Sequence, residues 1–169
     1  TAGSFLLGTG ATFNNRSSFQ TNFDGSINSG GGAGVTTFNN EPTGTFTKSA
    51  GTGTTTINIP FNNNGIVNVD SGKLSLPGGG AHTGAFNVAA GSTLLIAGLA
   101  NTLNAGVTIT GAGLTEITGD LVANAPVTIP TALKISGFGT LDGTADIMVS
   151  GPLNWDGAGI VSGATGAAL

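Results

Sequence analysis

The acidic residues near the C-terminus are the first candidates for chemistry in this sequence. Asp120, Asp142, Asp146 and Asp156 follow one another at short intervals. Carboxylates grouped in this way bind calcium or serve as the acid and base of polysaccharide cleavage. However, two of them directly precede glycine, which favours turns, and the calcium-binding nonapeptide Gly-Gly-x-Gly-x-Asp is not matched. We therefore assign most of them to turns and predict no catalytic residue, no metal site and no cofactor.

The other ionisable residues are few, with only 4 Lys and Arg and 1 His in 169 residues, so each can be weighed singly. Glu116 and Lys134 occupy corresponding positions of successive repeats, which predicts a cross-strand ion pair on the surface. His82 lies in a stretch rich in glycine, where we expect an exposed loop. A His-based metal cluster is excluded because the sequence has a single histidine.

A sequence repeat of about 20 residues positions these side chains. From Ile66 to Trp155, a triplet of the form apolar-x-apolar returns five times, at steps of 19, 21, 20 and 20 residues, and each is followed by a second apolar segment. The triplets start at Val67, Phe86, Val107, Val127 and Ile147. Short alternating strands at a fixed period are typical of a solenoid, in which each repeat buries its apolar face on its neighbours. We expect these five residues to form one interior file.

A third apolar residue in each of the later repeats predicts a third strand, so each coil has three sides. These third apolar residues are Leu103, Leu121, Leu141 and Ile160. The predicted strand ends agree with the positions of Pro77, Pro126, Pro130 and Pro152. Because crossovers between parallel strands are right-handed in nearly all cases, the sequence predicts a right-handed parallel β-helix (a β-solenoid). It has about seven coils of 19–25 residues, with three strands per coil. We divide it into irregular N-terminal coils at 1–43 and a regular solenoid at 44–169 that continues past the C-terminus or into an assembly.

A second recurring motif, Phe-Asn-Asn, begins at Phe13, Phe38 and Phe61. Equivalent positions of stacked coils lie about 4.8 Å apart, so we expect the three rings to stack inside and the asparagines to form ladders at a corner. Asparagine also tolerates the left-handed backbone that a sharp corner demands. Lys48 departs from the pattern, since it falls where Val69 and Val88 point inward. We expect that coil to be irregular or open there.

Composition limits the classes of function. A net charge of −4 and a pI near 4.4 argue against binding to nucleic acid. No apolar run reaches the roughly 20 residues that span a bilayer, so we expect no membrane insertion. The chain starts at Thr1 without Met and stops in mid-pattern at Leu169, which favours a processed chain or a fragment.

The repeat style resembles a known family. The segments NGIVNVDSGKLSL at 64–76, FNVAAGSTL at 86–94 and LNWDGAGIVSG at 153–163 are similar to degenerate repeats of filamentous-haemagglutinin-like and autotransporter-like β-solenoid adhesins. This resemblance covers about 44–163 and has no catalytic residues to transfer. It implies a non-enzymatic structural or adhesive segment of a large protein at the bacterial cell surface, whose partners are surface glycans or other cell-surface molecules.

Two other functions stay open. A self-assembling extracellular filament subunit would associate through the ends of the solenoid, where strand edges are exposed. A polysaccharide lyase or hydrolase on a β-helix would use Asp120, Asp142 and Asp146. Measuring the size of the isolated chain tests the first alternative, and a screen on polysaccharides tests the second.

Overall fold

A computed structural model describes residues 3–157 in full and the backbone of residues 160 and 161. The chain forms short strands with no helix in this part. In chain order they are β1 (Gly3–Leu7), β2 (Thr12–Asn15), β3 (Ser18–Thr21), β4 (Gly25–Ser29), β5 (Thr37–Asn40), β6 (Thr45–Lys48), β7 (Thr54–Ile57), β8 (Phe61–Asn63), β9 (Ile66–Val69), β10 (Lys73–Leu76), β11 (Gly80–His82) and β12 (Ala85–Val88). They continue as β13 (Thr93–Ile96), β14 (Asn101–Leu103), β15 (Thr108–Thr110), β16 (Leu114–Ile117), β17 (Asp120–Ala123), β18 (Val127–Ile129), β19 (Ala132–Gly137), β20 (Thr140–Gly143), β21 (Ile147–Val149), β22 (Leu153–Gly157) and β23 (Ile160–Val161).

Every third strand belongs to the same side of a three-sided coil. The first side is an eight-stranded sheet from β1 to β22, and the second is an eight-stranded sheet from β2 to β23. The third side has a five-stranded sheet, β3-β6-β9-β12-β15, and a separate pair, β18-β21. Neighbouring strands pair in parallel throughout, from β1 with β4 to β20 with β23. The predicted parallel β-solenoid, with three strands per coil and about seven coils, is confirmed.

The core lies inside the coil, where alternate residues of each strand point inward. Side chains in register form interior files, and the file on the third side contains Phe19, Phe46, Val67, Phe86 and Ile109. Most of these side chains are completely buried. Because apolar side chains stack on one another along each file, burial of apolar surface is repeated in successive coils and stabilises the rod.

The register differs from the predicted interior file of Val67, Phe86, Val107, Val127 and Ile147 at two points, so these residues do not form one continuous file. Ile109, not Val107, pairs with Phe86, although Val107 is also buried. Val127 and Ile147 pair with each other, but in the separate two-stranded sheet. The triplet Val107-Thr108-Ile109 offers two inward apolar residues, and a shift of two residues keeps the same face inside.

The second side shows a similar shift. Leu121 pairs with Leu141, but Leu103 pairs with Ala123, two residues further along. The backbone of Ile160 pairs with Thr140, and its side chain lies outside the described residues.

The first two coils belong to the same sheets as the later ones, but their length differs. On the first side, Ile27 pairs with Phe5 after 22 residues and Ile57 pairs with Ile27 after 30. The later steps fall to 18–21 residues. The long step exceeds the expected range because it contains the glycine-rich loop between β4 and β5 and the turn between β6 and β7.

A column of glycines lies at the corner before the third side. Gly44, Gly65 and Gly84 stack on one another, and a Cβ on Gly65 or Gly84 would collide with the carbonyl oxygen of the glycine in the coil before it. The recurrence of these glycines therefore reflects close backbone packing at the corner, since no residue with a side chain fits there.

Candidate functional site

The predicted ion pair between Glu116 and Lys134 is present on the first side. The two residues are in register on β16 and β19, with Oε1 of Glu116 3.6 Å from Nζ of Lys134. Lys73, on β10, bonds the other carboxylate oxygen at 2.9 Å, and Asp156 lies 4.0 Å from Lys134. These four side chains form one chain of alternating charges along the outer face.

This arrangement makes Glu116 a fixed anion. The hydrogen bond from Lys73 lowers the pKa of Glu116 below its usual value, with further contributions from the charge of Lys134 and a hydrogen bond from Ser136. A general acid at neutral pH needs the opposite shift. The geometry therefore suits an ion pair that orders the face, and we expect Glu116 to be ionised at neutral pH.

The four C-terminal aspartates do not converge. Asp120 and Asp142 lie on the second side, on β17 and β20, where Asp120 accepts a hydrogen bond of 2.7 Å from Thr140. Asp146 precedes β21 on the third side, and Asp156 lies on β22 on the first. Within residues 3–157, no group of three or more His, Cys, Asp or Glu is placed to hold a metal ion.

The assignment of aspartates to Asp-Gly turns is wrong for two of them. Asp142 and Gly143 are both part of β20, and Asp156 and Gly157 are both part of β22. In these pairs the glycine has a positive φ at the end of the strand, so the dipeptide ends a strand instead of forming a separate turn.

Lys48 is buried in the interior, and its coil is neither irregular nor open there. β6 pairs regularly with β9, and Lys48 takes the inward position opposite Val69. Its side chain is completely buried, with Nζ 3.0 Å from Oδ1 of Asp24 and 3.0 Å from the carbonyl oxygen of Ala50. The backbone N–H of Gly53 donates to the other Asp24 oxygen at 3.0 Å. The hydrogen bond from Lys48 lowers the pKa of Asp24, so the two form an ion pair at neutral pH.

This pair leads to a stability prediction. We expect Asp24→Asn to lower the thermal unfolding midpoint by several degrees, because it leaves a buried ammonium group without a counter-charge. Lys48→Met is expected to cost less, since it removes the charge and keeps most of the buried stem. Asp142→Asn is the control, because its exposed carboxylate bonds only the adjacent backbone N–H of Gly143. Equal midpoints for Asp24→Asn and Lys48→Met, measured by circular dichroism, would contradict this account.

His82 lies in the core, and the prediction of an exposed loop is wrong. It is the last residue of β11, its side chain is completely buried, and its ring packs edge-on against Phe86. Nδ1 accepts the backbone N–H of Asn63 at 3.4 Å, so Nε2 carries the proton and donates to Oδ1 of Asn101 at 3.1 Å. Burial lowers the pKa of His82 to about 4, and the ring is neutral at pH 7.

The predicted Phe-Asn-Asn ladders are confirmed. Phe13, Phe38 and Phe61 are in register, with ring centroids 4.8 and 5.3 Å apart. The second asparagines point inward, and the amide of Asn15 donates to Asn40, which donates to Asn63, at 2.7 and 2.8 Å. His82 and Asn101 extend this column, which therefore forms a polar file within the core.

The expected left-handed backbone at these asparagines is wrong. No residue other than glycine has a positive φ in the described part of the chain. The inward asparagines instead secure the corner through their side chains. Their amides also donate to the carbonyl oxygens of Thr45, Ile66 and Ala85, each in the third-side strand of the next coil. This use satisfies buried backbone groups where the sheet turns.

A row of uncharged side chains runs along the outer face of the third side. Gln20, Thr47, Asn68, Asn87 and Thr110 are in register on five successive strands. The Asn87 amide donates to Oδ1 of Asn68 at 2.9 Å, and the hydroxyl of Thr110 donates to Asn87 at 2.8 Å. We call these five residues the polar row. Each amide in it keeps further hydrogen-bonding capacity toward solvent.

Sequence reasoning placed Lys48 and His82 wrongly. The signal for their burial is their position, since each replaces an inward residue of a neighbouring coil. Comparison with known proteins adds nothing to these observations, since no protein-family model, curated protein or solved structure matches the chain. No helix in the described residues is long and apolar enough to cross a membrane.

Proposed function

We propose that this chain is a non-enzymatic structural and adhesive segment of a large extracellular or cell-surface bacterial protein. The observation that carries this proposal is the polar row, a regular face of amides and hydroxyls without a charged side chain. Such a face offers several weak, uncharged contacts in successive coils, which suit uncharged glycans more than charged partners. The proposed relation to filamentous-haemagglutinin-like and autotransporter-like adhesins rests on the repeat style at 64–76, 86–94 and 153–163.

The interior supports the mechanical part of this role. Stacked parallel ladders, an aliphatic and aromatic core and buried amide columns hold the rod together, and the sequence contains no cysteine. A stalk of this type keeps its adhesive face in a fixed orientation, so contacts in successive coils add up along the rod.

We test the adhesive part with the full chain immobilised at high density on beads. The beads are expected to be retained by neutral polysaccharides such as cellulose, chitin or mannan, equally at low and high salt, because no charge is involved. The double variant Asn68→Leu/Asn87→Leu should lose most of this retention. Asn58→Leu, which changes an exposed asparagine of the first side, should keep it. Salt-sensitive retention, or retention only by acidic polymers, would contradict the proposal.

The same polysaccharides test the enzymatic alternative. We expect no release of soluble sugar on long incubation with the chain. Turnover that disappears in Asp120→Asn or Asp142→Asn would replace the proposed function with a lyase or hydrolase. The filament alternative stays a hypothesis that sedimentation of the full chain tests, because fibres and a monomer differ in size by a large factor.

A further inference from the structure

The third side of the solenoid is interrupted after the fifth of its seven described strands. Its five-stranded sheet ends at β15, and the next strand on that side, β18, pairs only with β21. The other two sides continue through the same coils without a break. The interruption is therefore a local feature of one face.

Two prolines explain the interruption. Val127 donates its backbone N–H to the carbonyl oxygen of Asp146, and Ile129 accepts the backbone N–H of Ser150, so both face β21. Backbone groups alternate in direction along a strand, so the positions before, between and after them face β15. These positions are Pro126, Thr128 and Pro130, and two of the three have no N–H to donate. The edge of β18 therefore cannot form a full ladder with β15.

A groove of about 340 Å³ lies along this break. Three exposed threonines, Thr108, Thr110 and Thr128, bring hydroxyl groups to it, and the rings of Pro126 and Pro130 form apolar rims. Val107, Ile109 and Val127 line its base, and no charged side chain lines it. The volume is at the lower end of the range for small-molecule sites.

We propose that this groove binds one uncharged pyranose residue of a surface glycan. A pyranose combines apolar C–H faces with several hydroxyls, and the groove combines proline rings with hydroxyls that both donate and accept hydrogen bonds. By the alternation along β18, the backbone N–H and C=O of Thr128 face β15 between the two prolines, where we expect them to bond a sugar hydroxyl. Acidic sugars are disfavoured because the lining has no cation.

The position of the groove fits the proposed adhesive function, on which this inference rests. Thr110 is at once the last member of the polar row and part of the groove lining. The row would contact a polysaccharide along its length, and the groove would hold one of its sugar residues and so select among neutral glycans.

The test is a titration of the isotopically labelled full chain, observed by amide NMR. The probes are the methyl glycosides of glucose, galactose and mannose, and N-acetylglucosamine. We expect at least one probe to shift the amide signals of Thr108, Thr110 and Thr128 selectively. Thr128→Val, which has the same shape without the hydroxyl, should weaken that binding about five-fold, as expected for one lost hydrogen bond. The matched control Thr102→Val, on the second side, should leave it unchanged.

Pro130→Val provides an independent variant. It restores a backbone N–H facing β15, so the ladder can close, and sugar binding should be lost while the thermal unfolding midpoint is maintained or raised. Shifts confined to Asn68 and Asn87, or no shift with any probe, would overturn the groove as a site. Bead retention on neutral polysaccharides would then still support the adhesive function, whereas loss of both results would overturn the two proposals together.

Discussion

Replacing Phe38 with alanine is expected to lower the free energy of unfolding by about 3–5 kcal/mol, the usual cost of deleting a buried phenyl ring. Phe38 is completely buried and lies at the centre of the aromatic cluster of the first three coils. Its ring centroid is 4.8 Å from that of Phe13, 5.1 Å from that of Phe19 and 5.3 Å from that of Phe61. Because these rings come from successive coils, the cavity would weaken the contact between neighbouring coils as well as one side.

Urea unfolding followed by circular dichroism measures this effect, and Phe138→Ala is the matched control. Phe138 lies in the turn between β19 and β20 and is 83% exposed, so removing its ring should change the free energy of unfolding by less than about 0.5 kcal/mol. A loss for Phe138→Ala as large as that for Phe38→Ala would show that the aromatic file does not hold the coils together.

The fold was predictable because the period of the apolar residues is a property of the whole rod. Any strand that contributes to the core must return an apolar residue about every 20 positions, and the buried pairs Val67 with Phe86 and Leu74 with Leu94 reveal this directly. The local register was harder to predict. Val107 and Ile109 fit the inside equally well by type, and only the pairing with β12 shows which one continues the file.

The buried polar residues could not be placed by type alone. Lys48 was assigned to an irregular coil because a charged side chain is seldom fully buried, and His82 was assigned to an exposed loop because its neighbours are rich in glycine. In a solenoid, position in the repeat outweighs residue type, since a strand in register has no other direction for its alternate side chains. The partners that make burial tolerable, Asp24 for Lys48 and Asn101 for His82, lie 24 and 19 residues away and are not visible in a local pattern.

The break in the third side was likewise only partly visible in the sequence. Pro126 and Pro130 were recognised as strand ends, which is correct, because they bracket β18. What a sequence pattern does not give is the direction in which each proline faces. Only the hydrogen bonds of β18 to β21 show that both prolines face β15.

Acidification is expected to destabilise the fold through His82. The pKa of His82 is about 4 in the folded chain and near 6.5 in an unfolded one. Below pH 6.5 the unfolded chain therefore takes up a proton that the folded chain does not, and stability falls as the pH falls toward 4. The contribution of neutral His82 to the free energy of unfolding is fully present above pH 6.5. By linkage, the free energy of unfolding falls by about 2 kcal/mol at pH 5 and by about 3 kcal/mol at pH 4.

The matched variant is His82→Asn, because asparagine occupies the equivalent inward positions of the three preceding coils, Asn15, Asn40 and Asn63. Urea unfolding at pH 7.5 and pH 5 should show a loss of stability in the natural chain and little change in the variant. The pKa values of Asp24 and Glu116 are lowered by their lysine partners. Their contribution to stability is therefore lost only at lower pH, outside the interval from pH 7.5 to pH 5. The chain has a single histidine, so an equal loss in both proteins would mean that the buried ring takes up its proton without unfolding the coil.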